Sequence, residues 1–357
     1  MTKALIAMSG GVDSSLAAKL MIDKGYECIG CMMKLYESDD DNVSSRSCCS
    51  MDDADDARSV ASKLGMPFYV FNFVDDFRKL IIDRFVDAYI AGMTPNPCID
   101  CNRLMKFDKL MKRAEVLGCD FIVTGHYARI EEKNGRYILK KALDETKDQS
   151  YVLYNLTQHQ LAHLKLPLGE LKKTEVRLIA GENGFINADK PDSQDICFVP
   201  DGDYAAVIEK ICGMKSRRGE FVDTRGNVQG QHQGIIHYTV GQRKGLGIAF
   251  GRPMYVCGID AEKNRVVLGE KHELMSSGAH VSQFNWISGE IPEGSIKCKV
   301  KVRYSQKEHL ALVTPSGDDG VFIQFDEPVR TVTPGQAAVL YDEDVVLGGG
   351  VIAEGIR

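Results

Sequence analysis

Five apolar residues, 4–8 (ALIAM), run into Ser9-Gly10-Gly11-Val12-Asp13-Ser14-Ser15, and a helical pattern with Leu16, Leu20 and Met21 on one face follows over residues 14–24. A strand that stops at paired glycines and restarts as a helix constrains the fold more than any other segment. The glycines let the backbone turn tightly and approach an anion. The serines cap the helix, and its first N–H groups sit at the positive end of the helix dipole. An acidic side chain such as Asp13 beside phosphates fits a place where Mg2+ is held. The Gly-Lys-Ser/Thr ending of the Walker loop is absent. The bland alternative is a glycine turn that merely caps a helix.

Alternation continues through the first half. Residues 26–35, 67–73 and 120–124 read as strands, and residues 53–64, 76–90 and 103–117 as helices, with Gly65 and Gly118 at two helix stops. This pattern predicts an α/β fold whose parallel sheet carries helices on both faces, with ligands beyond the C-terminal strand ends. Residues 157–184 read as two short helices. Beyond about residue 200, glycine becomes frequent and short β-rich runs are separated by turns such as Thr333-Pro334-Gly335, so the last 80 or so residues predict a small antiparallel barrel. The acidic cluster Asp39–Asp41 reads as a solvated turn in a mobile loop.

No run of about 18 apolar residues exists, so no membrane span is expected, and the short apolar start is read as a strand and not a signal peptide. Eleven cysteines, an odd number, argue against a disulfide framework and for a reducing, cytoplasmic location. The chain is acidic overall at -6, yet residues 200–310 hold 16 Lys+Arg against 12 Asp+Glu, leaving a basic centre that suits a phosphate-bearing partner.

Two cysteine loops carry the candidate chemistry. Thr94-Pro95-Asn96-Pro97-Cys98-Ile99-Asp100-Cys101-Asn102 is stiffened by two prolines and places Cys101 near the start of a helix at about Arg103, a position that favours thiolate. Lys190-Pro191-Asp192-Ser193-Gln194-Asp195-Ile196-Cys197-Phe198 lies about a hundred residues later, in another polar loop. Cys98 and Cys101 form a CxxC, which admits zinc, although no second pair supplies four ligands. A redox dithiol is a second reading. The third is sulfur transfer, in which a persulfide on one cysteine attacks an activated carbon and the other completes release; its variant has Cys98, Cys101 and Cys197 ligate an iron–sulfur cluster instead. Cys28, Cys31, Cys119, Cys257 and Cys298 sit in or beside strand-like runs and read as buried small hydrophobes. Cys48-Cys49 reads as incidental or accessory.

Ser9–Ser14 resembles the PP-loop signature SGGxDS of ATP pyrophosphatases, which split ATP between the α and β phosphates and adenylate a substrate. That loop, the TPNPCxxCN segment, Thr124-Gly125-His126-Tyr127, Lys147-Asp148-Gln149-Ser150-Tyr151, the DSxxICF segment, Gly234–His237, Thr239–Gly247, Val302-Arg303-Tyr304, Thr333–Gln336 and Leu347–Gly350 follow in a fixed order, and together they resemble the tRNA-specific 2-thiouridylase family (MnmA) over essentially the whole chain. The resemblance implies a PP-loop catalytic domain (1–198), a central tRNA-binding domain (199–272) and a C-terminal β-barrel (273–357). It implies ATP on Ala7, Met8, Ser9, Gly10, Gly11, Val12, Asp13 and Ser14, with Met33 and Gly125 on the adenosine. Cys101 takes the place of the catalytic nucleophile and Cys197 that of the persulfide carrier. Asn96, Pro97 and Cys98 should touch the target base, and His126, Lys147, Asp148, Gln149, Arg303, Tyr304 and Gln336 the tRNA. ATP with Mg2+, or additionally a 4Fe-4S cluster, would serve the reaction. The expected partners are tRNA and a sulfur-donor protein, with the chain itself a monomer.

Two departures from the family pattern stand out. Many members carry Asp where Cys98 stands, and many read Ser-Thr-Gly where this chain has Ser193-Gln194-Asp195. The first removes a carboxylate and supplies a third thiol. The rival readings are another PP-loop tRNA-modifying ligase, which needs no cysteine pair, and a non-catalytic RNA-binding protein with a vestigial nucleotide loop.

Overall fold

The computed structural model describes residues 1–36, 51–192, 196–199, 202–248, 250–317 and 319–357. The Asp39–Asp41 cluster, Cys48-Cys49 and Ser193-Gln194-Asp195 lie outside the described residues.

Five strands form the first sheet: β1 (Lys3–Ala7), β2 (Glu27–Lys34), β3 (Phe68–Asn72), β4 (Phe121–Val123) and, past a hairpin of β5 (Ala128–Lys133) and β6 (Arg136–Lys141), β7 (Leu164–Lys165). Their order is β3-β2-β1-β4-β7 and every pairing is parallel. β1 is central, and Ala4, Leu5 and Ile6 are fully buried, which is why it reads as an unbroken apolar run. Successive side chains enter opposite faces. Ala4 and Ile6 join a core with Leu16 of helix α1 (Val12–Asp23), Ala57 and Val60 of α2 (Met51–Lys63) and Val176 of the later helix 173–182. Leu5 joins the other core, with Phe77 and Phe85 of α3 (residues 74–90) and Phe107 and Leu110 of α4 (residues 97–116). Helices therefore cover both faces, as the alternation predicts.

Both α3 and α4 contain wide π-helical turns, over Arg78–Ile82 and Cys101–Lys109. The helix expected to start near Arg103 starts six residues earlier: Asn96 is its N-cap, with its side chain accepting the Cys98 N–H at 3.1 Å, and Pro97 occupies the first turn, where its missing N–H is not needed. Cys98, and not Cys101, therefore lies in the first turn. Cys101 sits one turn in, where the π segment begins, beyond the strongest reach of the helix dipole. The two short helices after residue 157 are α5 (Gln158–Ala162) and α6 (Lys173–Glu182). The β5–β6 hairpin was not foreseen, although its signal is present: Asn134 (φ 54) and Gly135 (φ 74) form a turn between two alternating runs.

A mixed four-stranded sheet follows helix α7 (Tyr204–Cys212). It contains β8 (Gly219–Asp223), β9 (Val228–His232), β10 (Tyr255–Asp260) and β11 (Arg265–Gly269), ordered β10-β11-β8-β9. The last six strands are β12 (Met275–Trp286), β13 (Ile296–Lys301), β14 (His309–Ser316), β15 (Gly320–Arg330), β16 (Ala337–Asp342) and β17 (Val345–Ile356). Pairing of β12 with both β15 and β17 closes them into an antiparallel barrel. The barrel packs on the first domain: Ala337, Val339 and Tyr341 share the core of Leu5 and Phe107, and β6 pairs with β17.

Candidate active site

The chain leaves β1 on one side for β2 and on the other for β4, so the glycine loop opens at the point where the strand order reverses. Gly10 holds φ +73, and a Cβ there would lie 2.4 Å from the Asp53 carbonyl oxygen. Gly125, just beyond β4, lies so close to the loop that a Cβ would meet Asp13 C and Ser14 N at 2.8 Å. Ser9 is exposed, whereas Ser14 and Ser15 are buried and donate to the Gly11 carbonyl at 3.0 and 3.1 Å, so the serines do not cap the helix as expected: its N-cap is Gly11, with no side-chain cap bond. Val12 and Met33 are buried behind the loop, Ala7 closes β1, and the Met8 N–H reaches the Cys31 carbonyl at 2.7 Å. A loop of small residues at a helix start fits a nucleotide polyphosphate.

Part of the charge around this loop, on Lys173 and Arg177, comes from residues that no local motif announced. Asp13 accepts the Tyr127 hydroxyl at 2.8 Å and the Lys173 ammonium at 2.6 Å. Lys173, only 10% exposed in its side chain, also reaches Asp192 at 2.9 Å, and Asp192 gathers Lys147 at 2.8 Å and Arg177 at 3.0 Å. Burial pushes the Asp192 carboxyl up, but the ammonium groups of Lys147 and Lys173 outweigh it and bring it down to about 2. Burial and the Asp13 carboxylate push the Tyr127 hydroxyl well up. Asn187 donates to the Gly10 carbonyl and to Ser15 Oγ, both at 2.9 Å, while its buried Oδ1 has no hydrogen-bond partner among the described residues. Lys190 is held by Asp53 at 2.7 Å and Asp56 at 2.6 Å. Asp13 and Asp192 are thus the carboxylates suited to Mg2+, and Lys173 bridges them.

The thiol side of the site assembles from five segments. Cys98 is exposed on the first turn of α4, beside Tyr304: burial, Asp148 and Cys98 push the Tyr304 hydroxyl up. Tyr304 donates to the Asp148 carbonyl at 3.1 Å, and Gln336 donates to the Thr94 carbonyl at 2.8 Å. Arg303 turns inward to the Val240 carbonyl at 2.8 Å and Thr333 Oγ1 at 2.6 Å, so it links the central sheet to the barrel. Cys101 is half-buried, and its chain neighbour Asn102 donates to the Val152 carbonyl at 3.3 Å. The Cys197 sulfur lies 2.7 Å from the Tyr36 hydroxyl, and Phe198 anchors it in an aromatic group with Phe77 and Phe85 at 6.0 and 5.1 Å between ring centres. Cys101 and Cys197 pack against one and the same core.

The segment 147–149 joins the two sides. Lys147 pairs with Asp192; Gln149 exchanges backbone and side-chain hydrogen bonds with Tyr127 at 2.8 and 3.0 Å; and Asp148 receives Tyr304 on its carbonyl and Ser150 on its carboxylate. His126 is buried, with Nδ1 2.7 Å from Thr124 Oγ1, and burial and the Lys106 charge lower its pKa so that it stays neutral. Pro97 is buried and Asn96 half-buried. Among the described residues, no group of three or more His, Cys, Asp or Glu side chains is placed to hold a metal ion. No helix of the described residues is long and apolar enough to cross a membrane.

A parallel α/β sheet with this loop at its switch point, braced by a central sheet and a closed barrel, defines a PP-loop nucleotide-binding enzyme. A family model described as tRNA methyl transferase HUP domain matches residues 2–201, a tRNA methyl transferase PRC-barrel domain model matches 206–270, and an aminomethyltransferase beta-barrel domain model matches 276–352. The chain is 51% identical over 354 residues to the tRNA-specific 2-thiouridylase MnmA of Acetivibrio thermocellus, covering 98% of this chain and 99% of that one. It is 49% identical over 356 residues to the tRNA-specific 2-thiouridylase MnmA of Clostridioides difficile, covering 99% of each. A solved 4-thiouridine synthetase with RNA and ATP aligns over 56% of this chain and 46% of that one, with 20% identity and a TM-score of 0.39. The chain belongs to the tRNA-specific 2-thiouridylase family.

Proposed function

We propose that this chain uses ATP to adenylate the C2 oxygen of the wobble uridine in a tRNA anticodon and replaces that oxygen with sulfur. The reading is carried by the glycine loop being tied through Lys147–Asp192 and Asp148–Tyr304 toward the Cys98 turn, with Cys101 and Cys197 packed against the same core cluster. A nucleotide bound at Ser9–Ser14 would meet the Lys173 ammonium, which can move its charge from Asp13 and Asp192 to the phosphates as pyrophosphate leaves. Mg2+ would add further neutralisation there, held by Asp13 or Asp192 in place of the lysine. Adenylation turns a poor leaving oxygen into AMP. The unpaired uridine leaves its stack to enter beside Asn96–Cys98, which an anticodon loop makes easy.

The sulfur step balances as follows. A Cys197 persulfide attacks C2 with its outer sulfur, the C2–O bond breaks and AMP departs. The Cys101 thiolate then attacks Cys197 Sγ, which breaks the S–S bond, forms a Cys101–Cys197 disulfide and releases 2-thiouridine. An external thiol reduces the disulfide, and a donor protein reloads Cys197. In this reading residues 1–198 are catalytic, 199–272 and 273–357 hold the tRNA, with Arg303 and Gln336 acting through the barrel docking they maintain, and one chain in the cytoplasm suffices.

The test incubates purified protein with ATP, a transcribed tRNA bearing a wobble uridine, and a persulfide donor, and measures pyrophosphate and the mass of the modified nucleoside. Pyrophosphate together with sulfur in place of the C2 oxygen supports the reading. An added methyl group, or no tRNA-dependent pyrophosphate, contradicts it. Iron and sulfide assays on anaerobically purified protein separate a persulfide from a cluster.

A further inference from the structure

Away from the thiols and the glycine loop, the central sheet presents a groove of about 460 Å³. Arg217, Arg218, Lys263 and Arg265 line it, against two carboxylates, Glu220 and Glu262. Arg265 is taken by Glu220 at 2.9 Å and Lys263 reaches Asp260 at 3.6 Å. Arg217 and Arg218 are exposed and make no ion pair among the described residues. Their backbone is nevertheless fixed. Asn264, at φ +51, donates its amide to the carbonyls of Arg217 at 3.3 Å and Arg218 at 2.8 Å, and Gly219 approaches so closely that a Cβ would lie 2.1 Å from the Asn264 carbonyl oxygen.

The groove lies close to the turn that precedes the cysteine helix. A Cβ at Gly92, in the turn that leads into Thr94–Cys101, would lie 2.9 Å from Ile259 and 3.6 Å from Ala261, immediately before the groove's Glu262 and Lys263. No aromatic side chain lines it. Unpaired bases are gripped by stacking, so a lining of guanidinium and ammonium groups without rings suits a sugar–phosphate backbone and not splayed bases.

We propose that this groove grips phosphates of the paired stem beside the anticodon loop while the unpaired uridine enters next to Cys98. The assignment rests on the tRNA reading above. Arginine suits the task because its planar fork meets phosphate oxygens in pairs. A paired stem offers regularly spaced phosphates whatever its sequence, so the contact would set register and orientation and leave base choice to the site itself.

The experiment uses the full chain with Arg217→Glu and Arg218→Glu combined, alongside the R217K/R218K pair. Binding of transcribed tRNA is titrated against salt, and binding of an unpaired oligonucleotide of the anticodon-loop sequence is measured in parallel. Charge reversal should weaken tRNA binding at least about tenfold and lower the salt slope by about 2, while oligonucleotide binding stays unchanged. The lysine pair should keep most of the affinity. Wild-type affinity and salt slope in the reversed variant would overturn the assignment, as would an equal loss with the unpaired oligonucleotide. If the reversed variant binds tRNA normally but loses capture of an acidic protein, the groove serves a protein and the proposal fails. Should wild-type protein release no pyrophosphate with tRNA, the functional reading itself falls, and that result is distinct from a groove variant that binds like wild type.

Discussion

The phosphate side and the thiol side of this site are built in different ways. At the phosphate side a single stretch, Ser9–Ser15, contains its own turn and its own helix start at the switch point of the sheet, while the charges set against it, on Lys173 and Asp192, come from far along the chain. At the thiol side no stretch is sufficient. Cys98 and Cys101 ride on α4, Cys197 hangs between Tyr36 and the Phe198 anchor, and the barrel supplies Tyr304, Arg303 and Gln336 from two hundred or more residues beyond α4's cysteines. In the proposed reaction the adenylation step thus rests mainly on one local segment and the sulfur step on domain docking. Changes in the barrel should therefore disturb sulfur transfer more than adenylation.

The largest expected effect separates the two sides outright. Cys101→Ala or Cys197→Ala should reduce 2-thiouridine formation by about a thousandfold or more, while tRNA-dependent pyrophosphate release persists. Equal loss of both would show that the two sides are not separable. Next, Lys173→Met should slow pyrophosphate release by about 10²–10³ with tRNA affinity unchanged, because it removes the cation between Asp13 and Asp192. A smaller effect is expected from Arg303→Met, which strips the Val240 carbonyl and Thr333 of their donor. It should lower stability by about 1–3 kcal/mol in denaturant titration and slow thiolation more than pyrophosphate release.

The Lys147 and Lys173 contacts also predict a pH dependence. Asp192 lies at about 2 in the folded chain, below its ordinary value of 3.8. Its stabilisation is therefore complete above about pH 4 and is lost as the pH falls toward about 2. Asp192→Asn should flatten acid unfolding across that interval and leave the neutral-pH salt dependence of the thiol side alone. The smallest effect belongs to Gln336→Ala, which removes one hydrogen bond to Thr94 and should cost about 1 kcal/mol, with a severalfold loss of thiolation only.

How much of this was legible in the sequence follows from the same contrast. The parallel sheet, its buried central strand and the glycine loop were readable because local period and turn chemistry dictate them. The terminal barrel was readable as a series of short strands, although its closure through β12 and β17 depends on pairings that no local pattern reveals. The start of α4 was misplaced because two prolines read as a rigid loop, when Asn96 and Pro97 together make a helix cap. Lys173, Asn187 and Arg177 went unnoticed, since a lysine on a short amphipathic helix carries no mark of the carboxylates it will meet. Arg303 and Gln336 read as RNA contacts, yet their side chains are engaged within the protein, at the seams that set the thiol side in place.

The central claim is that Cys101 and Cys197 converge on a single sulfur atom. Its most direct measurement is a single turnover of persulfide-loaded enzyme with limiting tRNA, quenched by alkylation and read by peptide mass spectrometry. The account predicts one Cys101–Cys197 disulfide for each 2-thiouridine formed. Full yield of 2-thiouridine with both thiols still alkylatable would contradict it.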